Sequence, residues 1–356
     1  MHPALRTRVC ELFGVRYPIV QTGMGWVSGV HLTAATAAAG GLGILAAVTM
    51  SDEQMLTAVR EMRERTDAPF GVNLRPDQPD IAERVKALAH EGVRVVSFAG
   101  APTKDTVSAL HDAGVLCVCT VGMRRHAEKV AALGVDAVIA QGGEGGGHTG
   151  SVPTSLLLPQ VVDAVGADIP VLAAGGFHDG RGLVSALAYG ADGVAMGTRF
   201  LLTADSRVPE HVKQDYLKAG VTQTLVTTAV DGMPQRVIST PFITALEGES
   251  SWRRGVRILR ASTRLRELTG QSPLKAVREG LAMRREQDMT LFQVASSINV
   301  PLLIRAALVE GRPEAGVLPT GQVTGVLDDL PTVADLIDRI ITEAETTLHR
   351  LEGKRL

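Results

Sequence analysis

The feature that most constrains this chain is a repeated alternation. Short apolar runs rich in Val, Ile and Leu recur, each followed by a stretch of helical periodicity. Eight runs fall within the first 200 residues: Pro18–Gly23, Gly41–Ala47, Phe70–Arg75, Val93–Gly100, Leu116–Val121, Ala137–Gly142, Pro170–Gly176 and Gly193–Phe200. Helical stretches lie between them, among them Ser51–Thr66, Ile81–Glu91, His126–Leu133 and Gly182–Tyr189. Ser51, followed by Asp52 and Glu53, places a hydroxyl and carboxylates where the first N–H groups of a helix lack partners. Gly92, Gly114, Gly134 and Gly190 stand where such helices should end. About eight βα units whose strands are buried on both faces imply an α/β protein, a closed (β/α)₈ TIM barrel. A doubly wound sheet is the alternative, but it would place G-x-G-x-x-G after the first strand, which here ends QTGMGW.

The texture changes after Phe200. From Asp205 to Val309 the pattern is mainly helical, interrupted by loops such as Asp231-Gly232-Met233-Pro234. We expect a barrel built from 1–204 and 311–356, with a helical substrate or lid subdomain over 205–310, inserted after the eighth strand. The last barrel helix should be Val333–Leu351, and the boundary before it is rich in Gly and Pro.

Composition narrows the function classes. The chain has 356 residues, 45% of them hydrophobic, enough for a large core and too apolar for disorder. A net charge of -2 and 3% aromatic residues exclude a basic or aromatic nucleic-acid surface, and give no pull toward anionic membrane. Cys10, Cys117 and Cys119 make no disulfide framework, and they suit buried thiols in a reducing compartment. The N-terminus lacks a signal-peptide pattern, and no apolar run approaches the ~20 residues of a membrane span, so a cytoplasmic protein is expected. No metal is expected. A homodimer is the expected assembly, although no residue pattern specifies it.

Barrel active sites collect at the C-terminal ends of the strands. Those ends carry Gln21-Thr22-Gly23-Met24-Gly25-Trp26, Asn73-Leu74-Arg75, the run Gln141 to Gly150, Ala174-Gly175-Gly176-Phe177 and Met196-Gly197-Thr198-Arg199. Gly175 and Gly176 let a phosphate approach backbone N–H groups, and Gly197 and Thr198 can add N–H groups and a hydroxyl from the next strand. The alternative is that these glycines only make turns. Gly145, Gly146 and Gly147 open the backbone beside His148, whose imidazole can take an acidic C–H proton near neutral pH. Glu144 is a weaker candidate, equally suited to fixing the loop. His178 fits a loop residue, while His90, His111 and His126 fit helix surfaces away from the mouth.

PIVQTGMGW, AAGGLGIL, GVNL, AQGGEGGGHTG, VLAAGGF and GVAMGTRFL resemble, in order, the motifs of the nitronate monooxygenase family, which includes related flavin-dependent enoyl reductases. The likeness covers nearly the whole chain, including the terminal TGQVTGVLDDLPTVADLI. It implies non-covalent FMN in the barrel mouth, its phosphate at Gly175, Gly176, Gly197 and Thr198. It implies that Gln21, Gly23, Met24 and Asn73 line the isoalloxazine and ribityl chain, with Thr22, Gln141, Gly146 and Gly147 also on the cofactor. His148 matches the family's base, and Gln322 falls in a segment that closes over the cofactor. Two departures leave the substrate open. Cys119-Thr120-Val121-Gly122 stands where many members carry a Lys, and Gly145 replaces the commoner Ala.

The stretch Ser251–Arg285 carries ten basic residues, among them Arg253, Arg254 and Arg257, against Glu267 and Glu279. It suits either the phosphates of a coenzyme A thioester or a solvated helix face. QTGMGW, QGGEGGGHTG and DGMPQRV also look like a branch assigned to bacterial steroid C/D-ring degradation, whose substrates are CoA thioesters. The expected function is therefore an FMN-dependent oxidoreductase acting on a C–C or C=C bond of such a thioester. His148 would be its base, and Trp26, Arg253, Arg254 and Arg257 would meet the small-molecule substrate. A nitronate monooxygenase using O₂ is the alternative. A phosphate-binding sensor, or a flavin-free barrel isomerase, leaves less of the pattern used.

Overall fold

Each of the eight apolar runs forms a parallel strand. The computed structural model describes residues 1–78, 80–248 and 291–353, with backbone alone for 291–299. The strands are β1 (Ile19–Gln21), β2 (Leu42–Ala46), β3 (Phe70–Leu74), β4 (Val95–Phe98), β5 (Leu116–Val121), β6 (Ala137–Gln141), β8 (Val171–Ala174) and β9 (Gly193–Met196). They close in that order, with Ile19 opposite Val194 at the seam between β1 and β9. The short strand β7 (Gly147–His148) lies outside the barrel.

Neighbouring residues on one strand serve two cores, because side chains alternate across a strand. Leu42, Ile44, Val95, Val118, Ala137, Ile139, Leu172 and Ala195 share one cluster with Val9, Phe13 and Val15, so the helix Arg8–Phe13 plugs the N-terminal end of the barrel. Leu45, Val72, Phe98, Cys117, Cys119, Val138, Ala173 and Val194 join the surrounding helices in a second cluster. That is why the strands read as continuous apolar runs, and why both β5 cysteines are buried, free thiols. Burial and the hydrogen bond with Cys119 push the Cys117 thiol upward, the hydrogen bond being the larger cause.

The local signals behave as their chemistry predicts. Ser51 and Gln54 form a reciprocal capping box at the start of the helix Asp52–Arg65. Gly92, Gly114, Gly134 and Gly190 all have positive φ just past helix ends. The helix Val333–Glu352 packs against Gly180–Ala188 and Val30–Ala38, taking the place of the eighth barrel helix. Among the described residues, no helix is long and apolar enough to cross a membrane.

The insertion differs from its sequence pattern. Helices Glu210–Lys218, Pro241–Gly248 and Leu291–Leu308 are present, but so are β10 (Thr224–Thr227) and β11 (Gln235–Ile238), an antiparallel pair. A small core of Val230, Val237, Ile243, Leu246, Val300 and Val317 holds this part together. The pair went unseen because two four-residue strands give only two alternations each, too few to stand out from a helical background. The basic stretch Ser251–Arg285, with Arg253, Arg254 and Arg257, lies outside the described residues.

Candidate active site

The strand ends open into a cavity of about 750 Å³, within the ~300–1,000 Å³ common for small-molecule sites. Thr22, Gly23, Met24 and Asn73 line one side, and the segments around Gln141, Gly146–His148, Gly175–Gly176 and Gly197–Thr198 line the other. Met233, Pro234 and Gln235 from the insertion border it, as do Val300, Ile304 and Leu308 of the helix Leu291–Leu308.

One end of the cavity presents donors. Gly175 and Gly176 have φ of 89° and 86°, a region that L side chains rarely adopt. A Cβ on Gly175 would sit 3.0 Å from the Gly142 carbonyl. Among the described residues, the N–H groups of Gly176, Gly197 and Thr198 meet no protein acceptor. The Thr198 hydroxyl accepts from the Gly321 N–H at 2.8 Å, which leaves its own proton free to donate. Unpaired N–H groups on two neighbouring strand ends are the chemistry a phosphate needs.

The histidine loop is fixed from three sides. Glu144 accepts from the Thr154 N–H and hydroxyl (2.7 Å to the latter), so its carboxylate pins the loop at the start of the helix Thr154–Val165. Gln141 donates to the His148 carbonyl at 2.8 Å. The β7 strand pairs with β11, setting Gln235 opposite His148, and Arg236 donates through two nitrogens to the Gly143 carbonyl. Burial pushes the Arg236 guanidinium below its ordinary value, against the pull of Glu144. The C-terminal segment adds a fourth contact, where the Gln322 N–H donates to the Glu144 carbonyl at 2.9 Å.

His148 is half exposed, and its Nε2 lies 2.7 Å from Oδ2 of Asp231, which is 5% exposed. Gln235 Nε2 donates to the same oxygen at 2.6 Å. Asp231 and Gln235 come from the insertion and were not singled out from the sequence. The Asp-Gly pair there reads simply as a turn, and a partner 83 positions from His148 leaves no local trace.

Other expected residues are placed differently. Gln21 is fully buried, its amide held by Ser28 and the Ile44 carbonyl, and it lies beneath the cavity wall. Gln322 also stays out of the lining, which takes Gly321 and Val323 instead. Trp26 adopts φ of 66° and stacks under the Arg305 guanidinium at 5.4 Å, with its indole N–H buried and unpartnered among the described residues. Its neighbours Gly25 and Val27 reach the cavity. His126, expected on a surface away from the mouth, lines the cavity together with Lys129. The helix Arg124–Ala131 starts two residues earlier than expected and follows β5 directly, so the exposed His126 and Lys129 border the open end of the barrel.

The model of the nitronate monooxygenase family matches residues 6–343. The chain belongs to the nitronate monooxygenase family. It is therefore an oxidoreductase. A protein of Mycobacterium tuberculosis named (3aS,4S,5R,7aS)-5-hydroxy-7a-methyl-1-oxo-octahydro-1H-indene-4-carboxyl-CoA dehydrogenase is 52% identical, with 97% of each chain covered. Its namesake in Rhodococcus jostii is 53% identical over 99% of each. A probable nitronate monooxygenase of Staphylococcus saprophyticus is more distant, at 33% identity over 67% of this chain and 80% of that one. Among solved structures, FabK from Thermotoga maritima superposes with a TM-score of 0.79 at 34% identity, covering 98% of this chain and 99% of that one. These likenesses agree with the barrel and with the family that the strand-end motifs resemble.

Proposed function

We propose that this nitronate monooxygenase family member binds FMN and acts as a dehydrogenase or reductase on a bicyclic CoA thioester derived from steroid C/D rings. The observation that carries the reading is the cavity itself, with unpaired donors of Gly176, Gly197 and Thr198 at one end and the His148 imidazole in its wall. The donors suit a flavin phosphate, and Asn73, Met24 and Gly23 of the same lining would border its ring system. The two relatives above half identity, both named for an indene-carboxyl-CoA, support the substrate class.

Bound FMN would supply the acceptor or donor of an electron pair with its hydrogen. The protein has the other tasks. His148 takes the proton from carbon next to the thioester carbonyl, or returns it in the reverse direction. Val300, Ile304 and Leu308 offer an apolar cover for a hydrocarbon bicycle and keep water from the reacting carbon. Lys129 and His126 both line the cavity, and the Lys129 ammonium would meet the phosphates of the CoA moiety there.

The test is an absorbance spectrum followed by anaerobic titration. Bands near ~375 and ~450 nm would identify bound flavin. Bleaching by the acyl-CoA supports the proposal. Bleaching by a nitronate alone would favour the monooxygenase reading, and a protein that takes up no FMN would overturn both.

A further inference from the structure

We propose that Asp231 is the positioning residue for His148, holding the proton on Nε2 and leaving Nδ1 as the atom that exchanges a proton with substrate. The inference rests on the base role given to His148 above, and adds which ring nitrogen acts and what fixes it.

Three polar atoms meet at one point. His148 Nε2 is 2.7 Å from Asp231 Oδ2, Gln235 Nε2 is 2.6 Å from the same oxygen, and the two nitrogens are 3.2 Å apart. A primary amide nitrogen only donates, and an ionised carboxylate only accepts. The Gln235 amide cannot be turned around, because its oxygen would then face the carboxylate at 2.6 Å. Both nitrogens therefore point protons at Oδ2, and His148 carries its hydrogen on Nε2. In the neutral ring that leaves Nδ1 with a free lone pair. Nδ1 makes no hydrogen bond among the described residues, and the imidazole lines the cavity.

Asp231 is itself held still. Its Oδ1 accepts from the Met233 N–H at 2.9 Å, closing a turn in which Gly232 has φ of 85° and donates to the Thr228 carbonyl. The Thr149 N–H donates to the Pro234 carbonyl, so the turn and the histidine loop are joined on both sides of His148. With side chains 5% and 1% exposed, Asp231 and Gln235 are shielded from water, which strengthens the charge-assisted bond. When Nδ1 takes a proton the ring becomes a cation, and the adjacent carboxylate stabilises it. The proton that leaves carbon ends on Nδ1, and bound flavin would supply the acceptor for the other hydrogen with its electron pair. In the reverse direction Nδ1 returns the proton.

The experiment is nitrogen NMR of the histidine rings in the resting flavin-loaded protein, with the His148 signals assigned by their loss in His148→Asn. The wild type should show the Nε2–H tautomer, read on the unmodified protein. In Asp231→Asn the new amide can donate to Nε2, so the Nδ1–H form should appear. The rate of flavin bleaching by the acyl-CoA should then fall by about 10²-fold or more, with little change in the concentration dependence. Asp231→Glu should recover part of that rate, and the flavin-to-protein absorbance ratio should be unchanged in both variants. An Nδ1–H tautomer in the wild type, or a wild-type bleaching rate in Asp231→Asn, overturns the assignment. Should His148→Asn bleach at the wild-type rate while the tautomer is as stated, the base role of His148 fails and the catalytic half of the proposal falls with it.

Discussion

Gly146→Ala should loosen the proposed cofactor site without touching its chemistry. A Cβ at position 146 would lie 2.5 Å from the Gly321 nitrogen and 2.5 Å from the Thr320 carbonyl carbon, both backbone atoms that cannot swing aside. Ordinary contact begins at 3.4 Å, so the histidine loop and the C-terminal segment must part by about 0.9 Å. The bond from the Gln322 N–H to the Glu144 carbonyl, now 2.9 Å, would then exceed a useful length, and the Gly321 bond to Thr198 at 2.8 Å would be strained. Two weakened hydrogen bonds amount to roughly 1–2 kcal/mol, consistent with the ~1–3 kcal/mol typical of overpacking. If that segment closes the FMN site, the dissociation constant for FMN should rise about 5- to 30-fold. Flavin fluorescence titration of the apoprotein measures it. Gly114→Ala is the control: φ is 70°, no atom lies within 4 Å, and the position is remote from the cavity. It should lose ~1–2 kcal/mol of stability from the left-handed backbone alone, with FMN affinity intact. Wild-type FMN affinity in Gly146→Ala, or an equal loss in Gly114→Ala, would refute the reasoning.

Asp329 ties the C-terminal segment to the barrel by accepting from Arg199 at 2.9 Å and Arg339 at 2.7 Å. Burial raises its carboxyl, but the hydrogen bonds from Arg339 and Arg199 outweigh this and hold it below the ordinary value. A depressed folded value contributes stability above the unfolded ~3.9, lost as pH falls through the folded value; Asp329→Asn should flatten that acid slope in urea melts. With 38% of the side chain exposed, screening keeps the effect at neutral pH near ~1 kcal/mol or less. Tyr216→Phe removes the donor to the Pro319 carbonyl at 3.0 Å and should cost about 1 kcal/mol by denaturant titration. Ser51→Ala breaks the capping box and should cost ~1 kcal/mol with turnover unchanged. Lys129→Glu should raise KM for the acyl-CoA about 2- to 10-fold and leave the flavin spectrum alone; an unchanged KM would remove Lys129 from the substrate's path.

The barrel was legible because its determinants are local and repeated. A strand such as β2, buried at all five positions, must be apolar throughout, and a helix such as Asp52–Arg65 announces its start through Ser51. The cavity lining at the strand ends was legible for a related reason. Gly175 and Gly176 directly follow β8, where the barrel fixes direction locally, whereas His148 lies beyond β6 on a loop that β11 holds in place. What stayed hidden depends on particular tertiary contacts. Gln21 sits at a strand end yet points under the cavity, a choice made by Ser28 and the Ile44 carbonyl. His126 borders the cavity from the exposed face of the helix that follows β5. Asp231 acquires its place only when β11 pairs with β7, a pairing of two residues that no periodicity records. The same pairing gives the insertion a consequence beyond bordering the cavity. A barrel lacking β10 and β11 would still carry His148 on its loop, but its ring would be free to turn and Nε2 would have no fixed partner. Part of the proposed catalytic geometry therefore rests on the segment least readable from sequence, because its value lies in one long-range hydrogen bond rather than in a pattern.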